Sequence, residues 1–208
     1  MSDQDVRRAT SSGAVEGHRR GWRTVDIVVT AVLGVTFGVV FWAWNALWVA
    51  LDPAFKAFPP GQGFMYGMWL VPGVLAMLVV RKPGAAVFAM LVASTVSALL
   101  GVTWGVQVIW YGLLEGLAPE LVFLATRYRR FTLLVATAAA AAAGLTAFAL
   151  DWFYYYRDWS AGWLTAYAVL VTLSSVVIAG VGSWLLVRRL AATGVLDAFP
   201  SGRERTRV

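Results

Sequence analysis

Cysteine is absent from all 208 residues, and histidine occurs once, as His18. The first absence excludes disulfides, thiolate metal sites and cysteine nucleophiles. The second leaves nothing with which to build an intramembrane Ser–His protease or a histidine-ligated metal centre. Lysine is nearly as scarce. Neither Lys56 nor Lys82 follows a glycine, so a phosphate loop ending in Gly-Lys-Ser/Thr does not occur. The chain is expected neither to hydrolyse ATP nor to be an enzyme, and to carry no metal or cofactor. Charged residues are 13% of the sequence against 60% hydrophobic ones. A soluble domain cannot hide that much apolar surface, so the solvent for most of this chain is lipid.

What is present falls into six apolar runs, at 27–51, 64–80, 85–102, 106–126, 131–150 and 163–187. Each is near the roughly 20 residues that cross a hydrocarbon core about 30 Å thick. The expected fold is an all-α membrane protein of six transmembrane helices, with 26–190 as the membrane domain. Residues 1–25 read as a disordered basic tail and 191–208 as a second tail. No short apolar segment with a small-residue cleavage site follows the first, so a cleaved signal peptide is not expected. A net charge of +6 is of the kind nucleic-acid partners select, but the basic residues sit in short clusters between apolar runs. With the N-terminus in the cytoplasm, 15 of the 17 fall on that side and only Lys56 and Arg157 outside. The positive-inside rule therefore predicts both termini in the cytoplasm, in the plasma membrane of a prokaryote, and no nucleic acid.

One stretch carries charge where lipid should forbid it: "QVIWYGLLEGLAPELVF", 107–123, holds Glu115 and Glu120 with Pro119 between them. A carboxylate at a span centre costs roughly 2.5–3.5 kcal/mol on insertion scales, so it faces a bundle interior or a cavity. Four-residue steps put Gln107, Tyr111 and Glu115 on one helix face, with Trp104 just above. Pro119 has no N–H, which frees the Glu115 carbonyl at the level of the carboxyl. The blander reading of Glu115 is a structural carboxyl bonded to a neighbouring span. Glu120 points roughly 140° away at about 100° per residue, toward Arg127 or Arg130, and a structural ion pair suits it better.

Aromatics are abundant, with 11 Trp, 11 Phe and 7 Tyr, and lopsided. Trp42, Trp44 and Trp48 crowd the end of the first run around Asn45. Tyr66 and Trp69 open the second, Trp104 and Trp110 flank the fourth, and "DWFYYYRDWSAGW" (151–163) leads to Tyr167. An interfacial belt would serve both membrane surfaces; here nearly every tryptophan except Trp22 and Trp184 lies on the predicted outer side. Such a pocket suits a flat, cationic or hydrogen-bonding ring, held by stacking and by cation–π contacts of about 0.5–2 kcal/mol each. Candidate contacts are Glu115, Tyr111, Gln107 and Asn45, with Trp44, Trp48, Tyr66, Trp104, Trp152, Trp163 and Tyr167 as stacking residues. Asp151 and Asp158 at the mouth add attraction for a positive ligand. Gly34 and Gly38 form a small-xxx-small pair that permits close helix approach. The alanine-rich stretch 135–144 reads as tightly packed or partner-facing.

The segments "FGVVFWAWNALW", "FPPGQGFMYGMWLVPGVLA", "RKPGAAVFAMLVASTVSALLG", "YGLLEGLAPELVFLATRYRRF", "YRDWSAGW" and "GVLDAFPSGRE" together resemble the S components of energy-coupling factor (ECF) vitamin transporters. Within them, the likeness is to the YkoE-like group associated with thiamine or hydroxymethylpyrimidine. That resemblance implies vitamin capture from the outer side and delivery through a transmembrane coupling protein with ATP-binding subunits. It also implies that small residues of the first span, here Ala31, Gly34 and Gly38, face the coupling protein. Rival readings are an S component for riboflavin or a nicotinate, a small intramembrane enzyme using Glu115 and Glu120, and a purely structural subunit.

Overall fold

The computed structural model describes residues 21–203, which form helices with no strand among them. Most of the expected N-terminal tail, with His18, and the last five residues lie outside the described residues. α1 (Thr24–Phe55) is followed by a 3₁₀ helix (Pro59–Leu70) that runs straight into α2 (Val71–Val80). α3 (Ala85–Leu99), α4 (Gln107–Ala125) and α5 (Leu133–Tyr154) come next. The last span begins as α6 (Ala161–Ser174), passes through a π-helical segment (Ser175–Gly182) and ends as α7 (Ser183–Ala192); a short α8 (Pro200–Arg203) closes the described chain.

Five of these spans are long and apolar enough to cross a bilayer, and α3 is shorter. Its 15 residues rise only about 22 Å. Glycine sets both limits: Gly84 and Gly101 sit at φ +86° and +85°, a conformation that side chains resist. The second span starts five residues before its expected beginning, because Pro59 and Pro60 pre-set φ for a helical start. Thr132 and Ser160 cap α5 and α6, each accepting from the amide three residues on.

α2 is the axis, with all ten residues buried. Around it α1 packs on α3, α3 on α4, α4 on α5, and α5 on the last span, which in turn covers the 3₁₀ helix. Absent side chains let the first two pairs approach closely. A Cβ on Gly34 would meet Val92, and one on Gly38 would meet Val96. Gly112 and Gly116 lie likewise against Ser94, Val87 and Met90. This corrects the partner-facing expectation for Gly34 and Gly38: both are turned inward, onto α3. Ala31 beside them is half-buried, and α1 presents Val32, Val35 and Val39 outward. Ala136, Ala139, Ala140 and Ala143 are fully packed within the bundle.

The two ends of the bundle differ. At the end rich in arginine, the 3₁₀/α2 span finishes under a set of chain-to-chain ties. Asp26, inaccessible to solvent, pairs with Arg23 at 2.9 Å. Arg23 also donates to the Ala198 carbonyl, Trp22 to Pro83, and Ser201 to Val79. Leu196 and Phe199 are buried there, so 191–203 folds back onto the bundle. Glu120 belongs to this end. It accepts from the amides of Gly84 (2.6 Å) and Ala86 (3.1 Å) and from the Tyr128 hydroxyl (2.9 Å). Instead of the expected partner Arg127 or Arg130, it has the N-terminus of α3, where the helix dipole favours an anion. Arg127 and Tyr128 adopt left-handed φ of 54° and 53°, which turns the chain back so that Tyr128 reaches it. Burial, and then Glu120, push the Tyr128 hydroxyl up to about 12, so it remains a donor at any physiological pH.

Candidate functional site

At the aromatic end the bundle opens into a cavity of about 230 Å³. α1 contributes Phe41, Asn45 and Trp48 at helical spacing, and the 3₁₀ helix contributes Gln62, Tyr66 and Trp69. α3 supplies Met90, Ser94 and Ser97; α4 supplies Gln107, Tyr111 and Glu115; Asp151 closes the wall from α5. Trp48, Tyr66, Trp69 and Trp104 form one aromatic group, with centroids 5.0–6.5 Å apart between neighbours and mostly edge-on contacts. Edge-to-face packing locks each ring by the next. The group is a rigid wall.

Glu115 is 4% exposed. The Tyr66 hydroxyl donates to its Oε1 at 2.8 Å, and its Oε2 has no hydrogen bond among the described residues. It is thus both a bonded carboxyl, as the blander reading held, and a cavity wall. Asp151 is 6% exposed and accepts from Tyr111 at 3.1 Å and from Tyr167 at 2.6 Å. The sequence placed this residue at the mouth; the structure buries it in the wall. Asn45 Oδ1 accepts from the amide and hydroxyl of Thr103, while its buried Nδ2 has no partner. Gln107 Nε2 is also buried without one. Unpaired amide donors beside a cavity are costly unless a ligand or water satisfies them.

Of the residues singled out from the sequence, Glu115, Tyr111, Gln107, Asn45, Trp48, Tyr66 and Trp104 come together around this space. Four do not. Trp44 is turned aside and donates to the Met65 carbonyl at 3.0 Å, tying α1 to the 3₁₀ helix. Trp152 and Trp163 are 47% and 42% exposed on the outside of the bundle. Tyr167 is buried behind the wall, where it holds Asp151. Trp69, Gln62, Tyr155 and Tyr156 are cavity residues that sequence reasoning did not select. The spacing of Tyr66 and Trp69 was the available signal, since residues three apart eclipse in a 3₁₀ helix. Glu115 and Glu120 are separated by roles as well as direction, for Glu120 is spent on α3. A second hollow, at the arginine-rich end between Arg81, Phe131, Trp184 and Arg188, is reached by none of the selected residues.

Comparison with known proteins points to membrane components of transport systems in all three cases. The family of permease components of ABC-type cobalt transport systems matches residues 25–146. The putative HMP/thiamine permease protein YkoE of Bacillus subtilis (strain 168) is 33% identical over 186 residues, which span 89% of this chain and 92% of that one. A crystal structure of an S component of an ECF transporter matches with a TM-score of 0.85 and 32% identity, covering 90% of this chain and 94% of the other. The chain belongs to the S components of ECF transporters. The S component is therefore a multi-pass membrane transport subunit, and its cavity lies where five of its six spans converge.

Proposed function

We propose that this S component captures thiamine or a related aminopyrimidine such as hydroxymethylpyrimidine from the outer face of the plasma membrane. Both termini then lie in the cytoplasm, and a coupling protein with ATP-binding subunits completes the importer. The observation that carries the reading is Glu115: a mid-helix carboxyl, buried and fixed by Tyr66, bordering a cavity walled by indoles. A carboxylate accepts from an exocyclic amine while flat rings stack on the walls, which is what an aminopyrimidine needs. The relative's printed activity, HMP/thiamine permeation, agrees with that chemistry.

The cobalt named by the matching family is the second cargo to test. The donor set disfavours it, for no group of three or more His, Cys, Asp or Glu that could hold a metal occurs among the described residues. Calorimetry on the purified, ligand-free protein separates the two. Submicromolar binding of thiamine or hydroxymethylpyrimidine, weakened at least about tenfold by Glu115→Gln (about 1.4 kcal/mol), is expected. Binding of Co²⁺ alone, or an aminopyrimidine affinity indifferent to Glu115→Gln, would overturn the reading.

A further inference from the structure

The cavity is one-sided in charge. Three carboxylates border it, those of Asp52, Glu115 and Asp151, and no lysine, arginine or histidine lines it among the described residues. The two basic residues nearest in sequence to this end are engaged elsewhere or outside. Arg157 donates to the Phe153 carbonyl at 2.6 Å and lies over that ring at 4.1 Å, while Lys56 sits exposed beyond α1. The hydrogen bonds around Asp151 come from two neutral hydroxyls, Tyr111 and Tyr167, so no protein cation offsets its charge. A buried carboxylate without a counter-ion is unfavourable. Asn45 offers this space an unused donor. Its Nδ2 is buried at the cavity wall with no partner, in a residue 5% exposed, and needs an acceptor from outside the protein.

We propose that Asp151 is a ligand contact that seats positive charge, so the cavity selects the unphosphorylated cationic form of its substrate and rejects its phosphate esters. The inference rests on the reading that the cavity takes an aminopyrimidine, and among such ligands it singles out the one that carries a cationic ring. Within that frame Glu115 and Asp151 divide the work. Glu115, on α4, receives the amine. Asp151, on α5, faces the charged ring. A phosphate, carrying two negative charges near neutral pH, would meet Asp52, Glu115 and Asp151 with no guanidinium or ammonium to receive it. A phosphorylating reaction would then have to follow import, wherever the phosphate ester is the form used.

Tryptophan fluorescence or calorimetry on the full chain in detergent tests this, using thiamine, thiamine monophosphate and neutral hydroxymethylpyrimidine as probes. Wild type should bind thiamine at least about tenfold more tightly than the monophosphate. Asp151→Asn should weaken thiamine at least about tenfold more than it weakens hydroxymethylpyrimidine, and should narrow the gap between thiamine and its ester. The exposed Asp52→Asn should narrow the same gap, and does not depend on a buried residue tolerating change. Equal wild-type affinity for ester and alcohol overturns the inference while leaving the aminopyrimidine reading intact. So does a gap that neither substitution narrows, since bulk rather than charge would then be excluding the ester. Failure of wild type to bind any of the three probes overturns the aminopyrimidine reading itself.

Discussion

A single hydroxyl decides what Glu115 can offer a ligand. Tyr66 occupies Oε1 at 2.8 Å and leaves Oε2 to the cavity, so the carboxyl is oriented before anything binds. Tyr66→Phe removes that donor and leaves a buried acceptor unsatisfied, at a cost of about 1–3 kcal/mol. Thermal unfolding in detergent should show the loss of stability, and calorimetry should show aminopyrimidine affinity falling with it. At this scale the sequence was legible wherever a polar group contradicts its surroundings. Glu115 announced itself by lying in an apolar run, and Asn45 by lying among tryptophans; Phe41, one turn before Asn45, was not singled out. Asp151 was harder, because an acid at the end of a run, next to "WFYYYRDW", reads as loop chemistry. Trp44 shows the opposite error. One residue from Asn45, it is rotated about 100° off the cavity face, and composition alone does not reveal a rotation.

Among the elements, the one that enters the cavity without α-geometry is the 3₁₀ helix. The 3₁₀ helix carries Gln62, Tyr66 and Trp69 into the cavity, and it is held in place by the last span. Ser174, at the junction of α6 and the π segment, accepts from the Gly67 amide at 3.0 Å and donates to the Phe64 carbonyl at 2.6 Å. A Cβ at Gly67 would collide with the Ser174 carbonyl, so this contact requires glycine. Gly67→Ala should therefore lower the melting temperature, in line with an overpacking cost of about 1–3 kcal/mol, and weaken binding through Tyr66. Gly162→Ala, where a Cβ meets open space, should change neither. The helix-forming runs themselves were readable from apolar length and from Gly and Pro punctuation. The winding was not, because twelve residues of 3₁₀ helix arise from packing against Tyr167, Val171 and Ser174 rather than from any local preference.

For the whole molecule, the uneven distribution of arginine is the argument for topology, and the absence of cysteine makes it easy to test. Asp158→Cys and Val195→Cys place single thiols at exposed positions on opposite ends of the bundle. In intact cells a membrane-impermeant maleimide should label the first, and should reach the second only after permeabilisation. The reverse pattern would invert the proposed orientation. The six-span count and the family resemblance were both accessible from the sequence, since each depends on residue order along the chain. Which face of α1 is turned inward was not. Gly34 and Gly38 could equally have served a partner, and only the position of Val92 and Val96 shows that α3 takes that room.

The axis of the bundle bears on how cargo travels. From Val71 to Val80 every residue is buried and none is polar, so this helix offers no open or hydrogen-bonding path from the cavity toward the opposite end. Any route for cargo toward the arginine-rich end would therefore have to run beside this helix, through its packing partners, and not along it.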